Sequence, residues 1–240
     1  MKLDILAFGA HPDDVELGAG ATIAKAIASG KKVGIVDLTR GELGTRGSAE
    51  IRDSEAAAAA KVLGVESREN LGFADGFFVN DREHQLEIIK MVRKYRPEIV
   101  LCNAIDDRHI DHGKGSKLVS DACFLSGLIK IETKLSDADA PQAQWRPKVV
   151  YHYIQWKNLE PDFVVDVSGY IEKKTEAILA YSSQFHDPKS KEPETPISSK
   201  NFIDSVNYRA RDLGRLIGVD YAEGFTVERF VGVNNIDDLI

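Results

Sequence analysis

Two clusters of histidine and aspartate carry the strongest chemical signal in the sequence. The first reads Ala-His-Pro-Asp-Asp at 10–14, and the second reads Asp-Asp-Arg-His-Ile-Asp-His at 106–112. Together they offer three imidazoles and five carboxylates, and neither contains a cysteine. Mixed nitrogen and oxygen donors of this kind suit a catalytic metal such as zinc, which keeps one coordination position open for water or substrate.

Each cluster follows a segment that is predicted to be a buried strand. A short apolar run at 3–10 precedes the first cluster, and EIVLCN at 98–103 precedes the second. Sites in doubly wound sheets form outside the carboxyl ends of the strands, so the two clusters are expected to meet there. A structural interpretation stays open, because Asp13 and Asp14 could instead cap a helix that begins near residue 18.

The whole chain predicts an α/β fold with a Rossmann-like, mostly parallel sheet and helices on both faces. Strands are predicted at 3–10, 31–38, 68–71, 98–103, 148–154 and 163–167, and helices at 18–29, 48–63, 81–96, 112–126, 168–181 and 202–217. Residues 1–240 are expected to form a single domain, because no internal repeat or sharp boundary divides them. Residues 184–201 hold three prolines among charged side chains, a composition typical of a long loop that acts as a lid.

Composition predicts a globular protein of the cytoplasm. The 240 residues are 43% hydrophobic and carry 31 basic against 38 acidic side chains, a net charge of −7. This balance argues against nucleic acid and anionic membranes as partners, and no apolar run approaches the ~18 residues of a membrane span. The N-terminal stretch lacks a signal-peptide cleavage site. Cys102 and Cys123 are the only cysteines, so a disulfide scaffold is excluded and both are expected to be reduced.

The two clusters resemble the signatures of a known family. HPDD at 11–14, followed by Glu16 and Gly18, is similar to the first motif of the LmbE/PIG-L family of zinc-dependent N-acetylglucosamine-type deacetylases, and HIDH at 109–112 is similar to the second. Three further segments resemble the branch that deacetylates N-acetylglucosaminyl-malate in bacillithiol synthesis: 107–109, 183–185 and 221–225. The resemblance therefore implies an LmbE-like fold and hydrolysis of an N-acetyl group, with release of acetate and a free amine.

The resemblance also implies a role for each residue of the two motifs. One zinc ion per chain, with iron(II) as the alternative metal, would be held by His11, Asp14 and His112. Asp13 would act as the general base that activates water. His109 would stabilise the oxyanion as a charged imidazole or protonate the leaving amine. Asp111 would orient a metal-binding histidine by contacting the ring nitrogen that does not bind the metal.

The malate branch must accept carboxylates, and planar guanidinium groups suit them. Arg52 and Arg108 are the candidates, although Arg52 could instead form an ion pair with Glu55 on a helix surface. The sequence departs from the family at the lid, where Phe202 stands near the position of a tyrosine in related deacetylases. Phenylalanine has no hydroxyl, so two alternatives stay open. Another hydroxyl, for example that of Tyr208, donates to the oxyanion, or His109 and the metal hold it without a hydroxyl.

Other functions stay open from the sequence. They are deacetylation of free N-acetylglucosamine or chito-oligosaccharides, hydrolysis of a mycothiol-type conjugate, and metal or nucleotide binding without catalysis. The last is disfavoured because acids at 13–14 stand where a pyrophosphate would sit. The resemblance implies a small-molecule sugar conjugate as partner and a homo-oligomer, specifically a hexamer. Core packing is expected for four aromatic residues, with sugar stacking open for one of them: Trp145, Tyr151, Tyr153 and Trp156.

Overall fold

The computed structural model describes residues 1–238. Its strands are, in chain order, β1 (Ile5–Gly9), β2 (Val33–Thr39), β3 (Ser67–Phe73), β4 (Ile99–Cys102), β5 (Val149–Tyr153), β6 (Phe163–Asp166) and β7 (Ala222–Val227). Its helices are α1 (Asp14–Ala28), α2 (Ala49–Leu63), α3 (Arg82–Tyr95), α4 (Ile110–Ser126), α5 (Ile171–Leu179) and α6 (Lys200–Leu216), followed by a 3-10 turn at Ile236–Asp238. Within these residues, no helix is both long and apolar enough to cross a membrane.

The strands form one sheet in the order β3-β2-β1-β4-β5-β7-β6. Strands β1 to β5 run parallel to one another, whereas β7 pairs antiparallel with both β5 and β6. The predicted mostly parallel α/β fold is confirmed. The chain passes from β1 outward to β2 and β3 and then returns to β4 on the other side of β1. Strand order therefore reverses between β1 and β4, which is where sheets of this class bind ligands.

Strand β1 is buried on both faces, as its continuous apolar sequence predicts. Leu6 and Phe8 pack in a cluster with residues of α3 and α4, whereas Ile5 and Ala7 pack in a second cluster with residues of α1 and α5. Successive side chains of a strand point to opposite faces, so the two clusters are the two layers of the core. The predicted helices on both faces follow from this alternation.

Three helices, α1, α4 and α6, begin earlier than the sequence predicts, and the differences in α1 and α4 affect the site. Helix α1 begins at Asp14 rather than residue 18, and α4 begins at Ile110 rather than residue 112. Asp13 occupies the N-cap position of α1 without a side-chain capping bond, and His109 occupies that of α4. The first turn of each helix therefore carries motif residues, and the motifs are helix starts rather than free loops.

Strand β7 is absent from the strands predicted from the sequence. Its segment AEGFTV contains Glu223 and Gly224, and both residue types are depleted in strands. The Glu223 carboxylate is nevertheless buried, because Lys174 donates to it at 2.6 Å and the backbone nitrogen of Thr22 at 2.7 Å. These partners lie 49 and 201 residues away in the sequence, so local pattern does not indicate them.

Residues 180–199 connect α5 to α6 and cover the region beside α1. Phe185 packs with Leu17 and Tyr181 in a third apolar cluster, against which Phe202 and Val206 of α6 also pack. The Arg46 guanidinium, buried beneath this connection, donates to Ser190 Oγ at 2.5 Å. The predicted lid segment at 184–201 thus lies against the body of the domain and continues into the first residues of α6.

Candidate active site

The two motifs converge at the carboxyl ends of β1 and β4, which are paired neighbours in the sheet. The ring centroids of His11 and His109 are 4.5 Å apart, and those of His109 and His112 are 5.3 Å apart. Seven of the eight site residues predicted from the sequence line a single cavity of about 810 Å³: His11, Asp13, Asp14, Arg52, Arg108, His109 and His112. The eighth, Asp111, is fully buried behind His11.

The Asp14 carboxylate lies between two of the imidazoles. Its Oδ2 atom is 3.4 Å from His11 Nδ1, and its Oδ1 atom is 3.2 Å from His112 Nε2. Asn103 Nδ2 donates to Oδ2 at 2.9 Å and Gln155 Nε2 donates to Oδ1 at 2.6 Å. These contacts fix both oxygens of Asp14 in a buried position between the two rings.

The outer nitrogen of each of these imidazoles faces a different carboxylate. His11 Nε2 lies 3.0 Å from Asp75 Oδ1 and 3.4 Å from Asp111 Oδ2, and His112 Nδ1 lies 2.7 Å from Asp107 Oδ2. A carboxylate behind an imidazole holds the proton on the outer nitrogen and leaves the inner one free to bind a metal. The inner nitrogens are those that face Asp14.

The donor set fits a divalent metal. Asp14 presents a different oxygen to each histidine, at 3.4 Å from His11 and 3.2 Å from His112, and donor atoms in a tetrahedral site with metal bonds of about 2.0–2.1 Å lie about 3.3–3.4 Å apart. Burial alone would lower the pKa of His112, but the Asp14 and Asp107 carboxylates raise it to about 9. The Asp14 and Asp107 carboxylates thus favour a positive charge at the position of His112. Two sets of side chains bring three possible donor atoms within 4.8 Å of one another: the three motif histidines His11, His109 and His112, and His11 with Asp75 and Asp111.

Asp13 occupies the left-handed backbone region, with φ of 113°, which a non-glycine residue adopts only under strain. The Arg52 guanidinium donates to Asp13 Oδ2 at 3.1 Å and also to the carbonyl of Pro12. Burial raises the pKa of Asp13 to about 7, against the opposing charge of Arg52. A buried carboxyl with a pKa near neutrality is suited to general base catalysis. The alternative ion pair of Arg52 with Glu55 does not form, and Glu55 instead accepts hydrogen bonds from Ser182 and Ser183, just before the lid segment.

His109 is the one motif histidine whose surroundings favour the neutral ring. Its Nδ1 atom accepts a hydrogen bond from the backbone nitrogen of Asp111 at 3.3 Å, so a neutral ring carries its proton on Nε2. Burial lowers its pKa, and the positive charges of His11 and His112 lower it further. A neutral His109 therefore has a hydrogen-bond donor at Nε2, and the roles implied by the resemblance, oxyanion stabilisation or protonation of the leaving amine, stay predictions.

Aromatic side chains form one wall of the cavity. The Trp156 ring is stacked on Phe202 at 5.3 Å between centroids, and Phe202 is stacked on Phe185 at 5.9 Å. Phe202 thus packs between two rings. Tyr208 is 63% exposed on α6 and is outside the set of cavity-lining residues. Trp156 is the member of the aromatic set that lines the cavity, whereas Tyr153 is fully buried.

Three polar residues of the site are not among those predicted from the sequence. Asp75 follows β3, Asn103 follows β4 and Gln155 follows β5, each immediately or within two residues of the end of its strand. The rule that sites form outside the carboxyl ends of parallel strands would have indicated all three. Each stands alone in its segment, however, without a neighbouring histidine to mark it.

Comparison with known proteins relates this geometry to a family. Residues 6–123 match the family described as PIG-L: GlcNAc-PI de-N-acetylase. The diacetylchitobiose deacetylase of Thermococcus kodakarensis is 32% identical over 192 residues, which cover 75% of this chain and 70% of that protein. A conserved protein of Thermus thermophilus superposes with a TM-score of 0.84 at 35% identity, over 97% of this chain and 98% of the other. The N,N'-diacetylchitobiose deacetylase of Pyrococcus horikoshii superposes with a TM-score of 0.79 at 27% identity, over 98% and 88%.

Proposed function

Because this chain belongs to the PIG-L family and is a hydrolytic N-deacetylase acting on sugars of the N-acetylglucosamine type, we propose that its substrate is N-acetylglucosaminyl-malate, in bacillithiol synthesis. The choice of an acidic conjugate rests on one observation, the position of Arg108 in the cavity. Its guanidinium lies 4.4 Å from the centroid of the Trp156 ring and adjoins the motif histidine His109. No described carboxylate pairs with it, so it is free to bind one on the substrate.

The proposed metal is one zinc ion per chain, with iron(II) as the alternative, held by three ligands: His11, Asp14 and His112. The contacts of Asp14 with both histidines and the carboxylates behind both imidazoles support this choice over the set of His11, Asp75 and Asp111, which would use the outer nitrogen of His11. The set of three histidines has His109 in place of Asp14. A zinc ion bound there lowers the pKa of a bound water to about 7 and polarises an amide carbonyl.

The chain's own residues supply the proton transfers and the orientation. Asp13, held by Arg52, accepts a proton from the attacking water and gives it to the sugar nitrogen as the amide C–N bond breaks. Acetate and a free amine are the products. His109 donates from Nε2 to the oxygen that becomes negatively charged, so a lid tyrosine is not required for that contact. Asp111 and Asp75 hold the His11 ring in place.

Arg52 and Arg108 are proposed to face the substrate, because both line the cavity. Arg52 already donates to Asp13, so its contribution combines orientation of the base with a positive charge near the substrate. The proposal further includes a single domain over residues 1–240, with 184–201 acting as a lid, and assembly into a homo-oligomer of the hexameric type.

The experiment that tests the proposal is amine release by the purified, zinc-loaded protein from three substrates. These are N-acetylglucosaminyl-malate, N-acetylglucosamine and N,N'-diacetylchitobiose, the last because the relative from T. kodakarensis carries that name. We expect a kcat/KM at least about 10-fold higher for the malate conjugate, as a carboxylate bound by arginine provides, and no activity in Asp13→Asn. Equal or higher activity on the neutral sugars would retain the deacetylase and reject the malate conjugate.

A further inference from the structure

Helix α6 contributes a third arginine to the cavity, Arg209, which lies outside the two motifs. Arg209 lines the same wall as Arg108, and it donates from Nη2 to the backbone carbonyl of Trp156 at 2.6 Å and from Nε to Asn158 Oδ1 at 3.1 Å. Arg108 lies over the ring of the same tryptophan. One residue of the wall, Trp156, is therefore in contact with both guanidiniums.

Neither guanidinium is neutralised by an ion pair within residues 1–238. Arg209 has neutral oxygens as its hydrogen-bond acceptors, and Arg108 has an aromatic face. Burial lowers the pKa of Arg209, and the acidic group that opposes this effect is Asp107. Asp107 is itself bonded to His112 and to the backbone nitrogen of Lys157. An arginine remains charged at any physiological pH, so two positive charges face the cavity.

The other arginine of the cavity is in a different state. Arg52 donates to the Asp13 carboxylate and is buried beside Gly41. Arg52 thus holds the proposed catalytic base, whereas Arg108 and Arg209 have donors left for a ligand. A planar guanidinium presents paired donors that match the geometry of a carboxylate or phosphate.

We infer that Arg209 is a specificity-determining residue, which together with Arg108 binds an oxyanion carried by the part of the substrate attached to the sugar. This inference rests on the proposed deacetylase function and adds the helix that follows the lid to the substrate site. Binding of the oxyanion would join α6 to the loop that precedes α4. A carboxylate and a phosphate share this chemistry, and the experiment separates them.

The test compares zinc-loaded wild-type protein with Arg209→Gln, Arg209→Lys and the control Arg211→Gln. Arg211 lies on the same helix, is exposed and contacts the Tyr221 ring rather than the cavity. Amine release is measured with N-acetylglucosaminyl-malate, N-acetylglucosamine 1-phosphate and neutral N-acetylglucosamine. Binding of the product glucosaminyl-malate, with glucosamine as its neutral counterpart, is measured by calorimetry, and unfolding by urea reports on folding.

We expect Arg209→Gln to lower kcat/KM for an anionic substrate about 10- to 100-fold more than for the neutral sugar, mainly through KM. Arg209→Lys keeps the positive charge but lacks the paired donors of a guanidinium, so its kcat/KM for the anionic substrate should lie between those of wild type and Arg209→Gln. Arg211→Gln should match wild type. A larger effect on the malate conjugate than on the phosphate identifies the oxyanion as a carboxylate, and the reverse identifies it as a phosphate.

Equal losses on anionic and neutral substrates would overturn the inference, because Arg209 would then act only by packing against Trp156. If wild type released no amine from any substrate, the proposed function would fail, and calorimetry would still decide the role of Arg209. If Arg209→Gln does not fold, Arg209→Lys decides the question. Weaker product binding in Arg209→Lys supports the inference, provided that this variant unfolds at the same urea concentration as wild type. Unchanged product binding in that variant refutes it.

Discussion

At the scale of single residues, the adjacent aspartates Asp13 and Asp14 have opposite surroundings. Burial raises the pKa of Asp13 to about 7. Burial acts in the same direction on Asp14, but the charge of His112 and hydrogen bonds from both histidines hold the pKa of Asp14 well below its usual range. The left-handed backbone at Asp13 separates the two side chains, so that one faces Arg52 and the other lies between the rings. Neighbouring carboxylates can therefore divide the work of proton transfer and metal binding.

We expect Asp13→Asn to lower kcat by about 10²–10⁴-fold, because an amide cannot accept the proton of the attacking water. Zinc content, measured by atomic emission, should remain at one ion per chain. Asp106→Asn is the matched control, since Asp106 lies on the surface and pairs with Lys157. Activity in Asp13→Asn equal to that of the control would remove Asp13 from the mechanism.

We expect Asp107→Asn to weaken zinc binding about 10- to 100-fold, because Asp107 holds the outer nitrogen of His112 at 2.7 Å. Zinc affinity is measured by competition with a chromophoric chelator. Asp121→Asn serves as control, since Asp121 pairs with Lys117 on the surface of α4. If zinc affinity is the same in both variants, His112 does not depend on Asp107 for its orientation.

At the scale of elements, the site depends on how closely α1 packs against the sheet. A Cβ atom at Gly18 would lie 2.1 Å from Cδ2 of Tyr153, whose ring is fully buried and whose hydroxyl donates to the carbonyl of Phe8 at 2.9 Å. Gly18 therefore lets the helix that carries Asp14 approach β5. The glycine of the first motif has a packing role, although it contributes no chemistry.

Gly18→Ala is expected to destabilise the protein by about 1–3 kcal/mol, because neither the helix backbone nor the buried ring can move freely. Urea unfolding measures the change. Gly232→Ala provides the comparison, since a Cβ atom there would meet nothing within 4 Å. A stability equal to that of the control would mean that Tyr153 can rotate out of its position.

At the scale of the whole molecule, one buried histidine on β5 contacts three other parts of the chain. His152 on β5 contacts Cys102 of β4 at 3.2 Å, Ser116 of α4 at 2.8 Å and Glu228 beyond β7 at 3.1 Å. Burial lowers the pKa of His152, but Cys102 and Glu228 outweigh this effect and raise it to about 10. We therefore expect the ring to be charged in the folded protein and to stabilise the side of the sheet away from β1.

The sign of the pH dependence follows from this pKa. The unfolded chain has a histidine pKa of about 6.5, so the contribution of His152 is fully present below about pH 6.5 and is lost as pH rises through about 10. We expect the difference in unfolding free energy between wild type and His152→Gln to decrease from about pH 6 to about pH 10.5. Urea titrations at several pH values measure it. A difference that is constant with pH would show that His152 is neutral in the folded protein.

The local sequence determined most of the elements and most of the predicted site residues. Alternating helices and strands predicted the parallel α/β sheet, and HPDD and HIDH, each at the end of a predicted strand, supplied six of the eight predicted site residues, five of which line the cavity while Asp111 lies behind it. These features could be predicted because apolar periodicity, capping and turn chemistry act over a few residues. The resemblance to the family rested on the same short segments.

The tertiary structure decided what no local pattern encodes. The contact of Asp75 with His11, the pairing of Arg52 with Asp13, and the approach of Arg209 to Trp156 join segments 39 to 64 residues apart, and the contact of Asp107 with His112 spans a helix start. Strand β7 depends in the same way on a buried partner far along the chain. The physical reason is that burial and charge pairing depend on which side chains meet in space, and these in turn set the pKa values and donor geometry on which the chemistry depends.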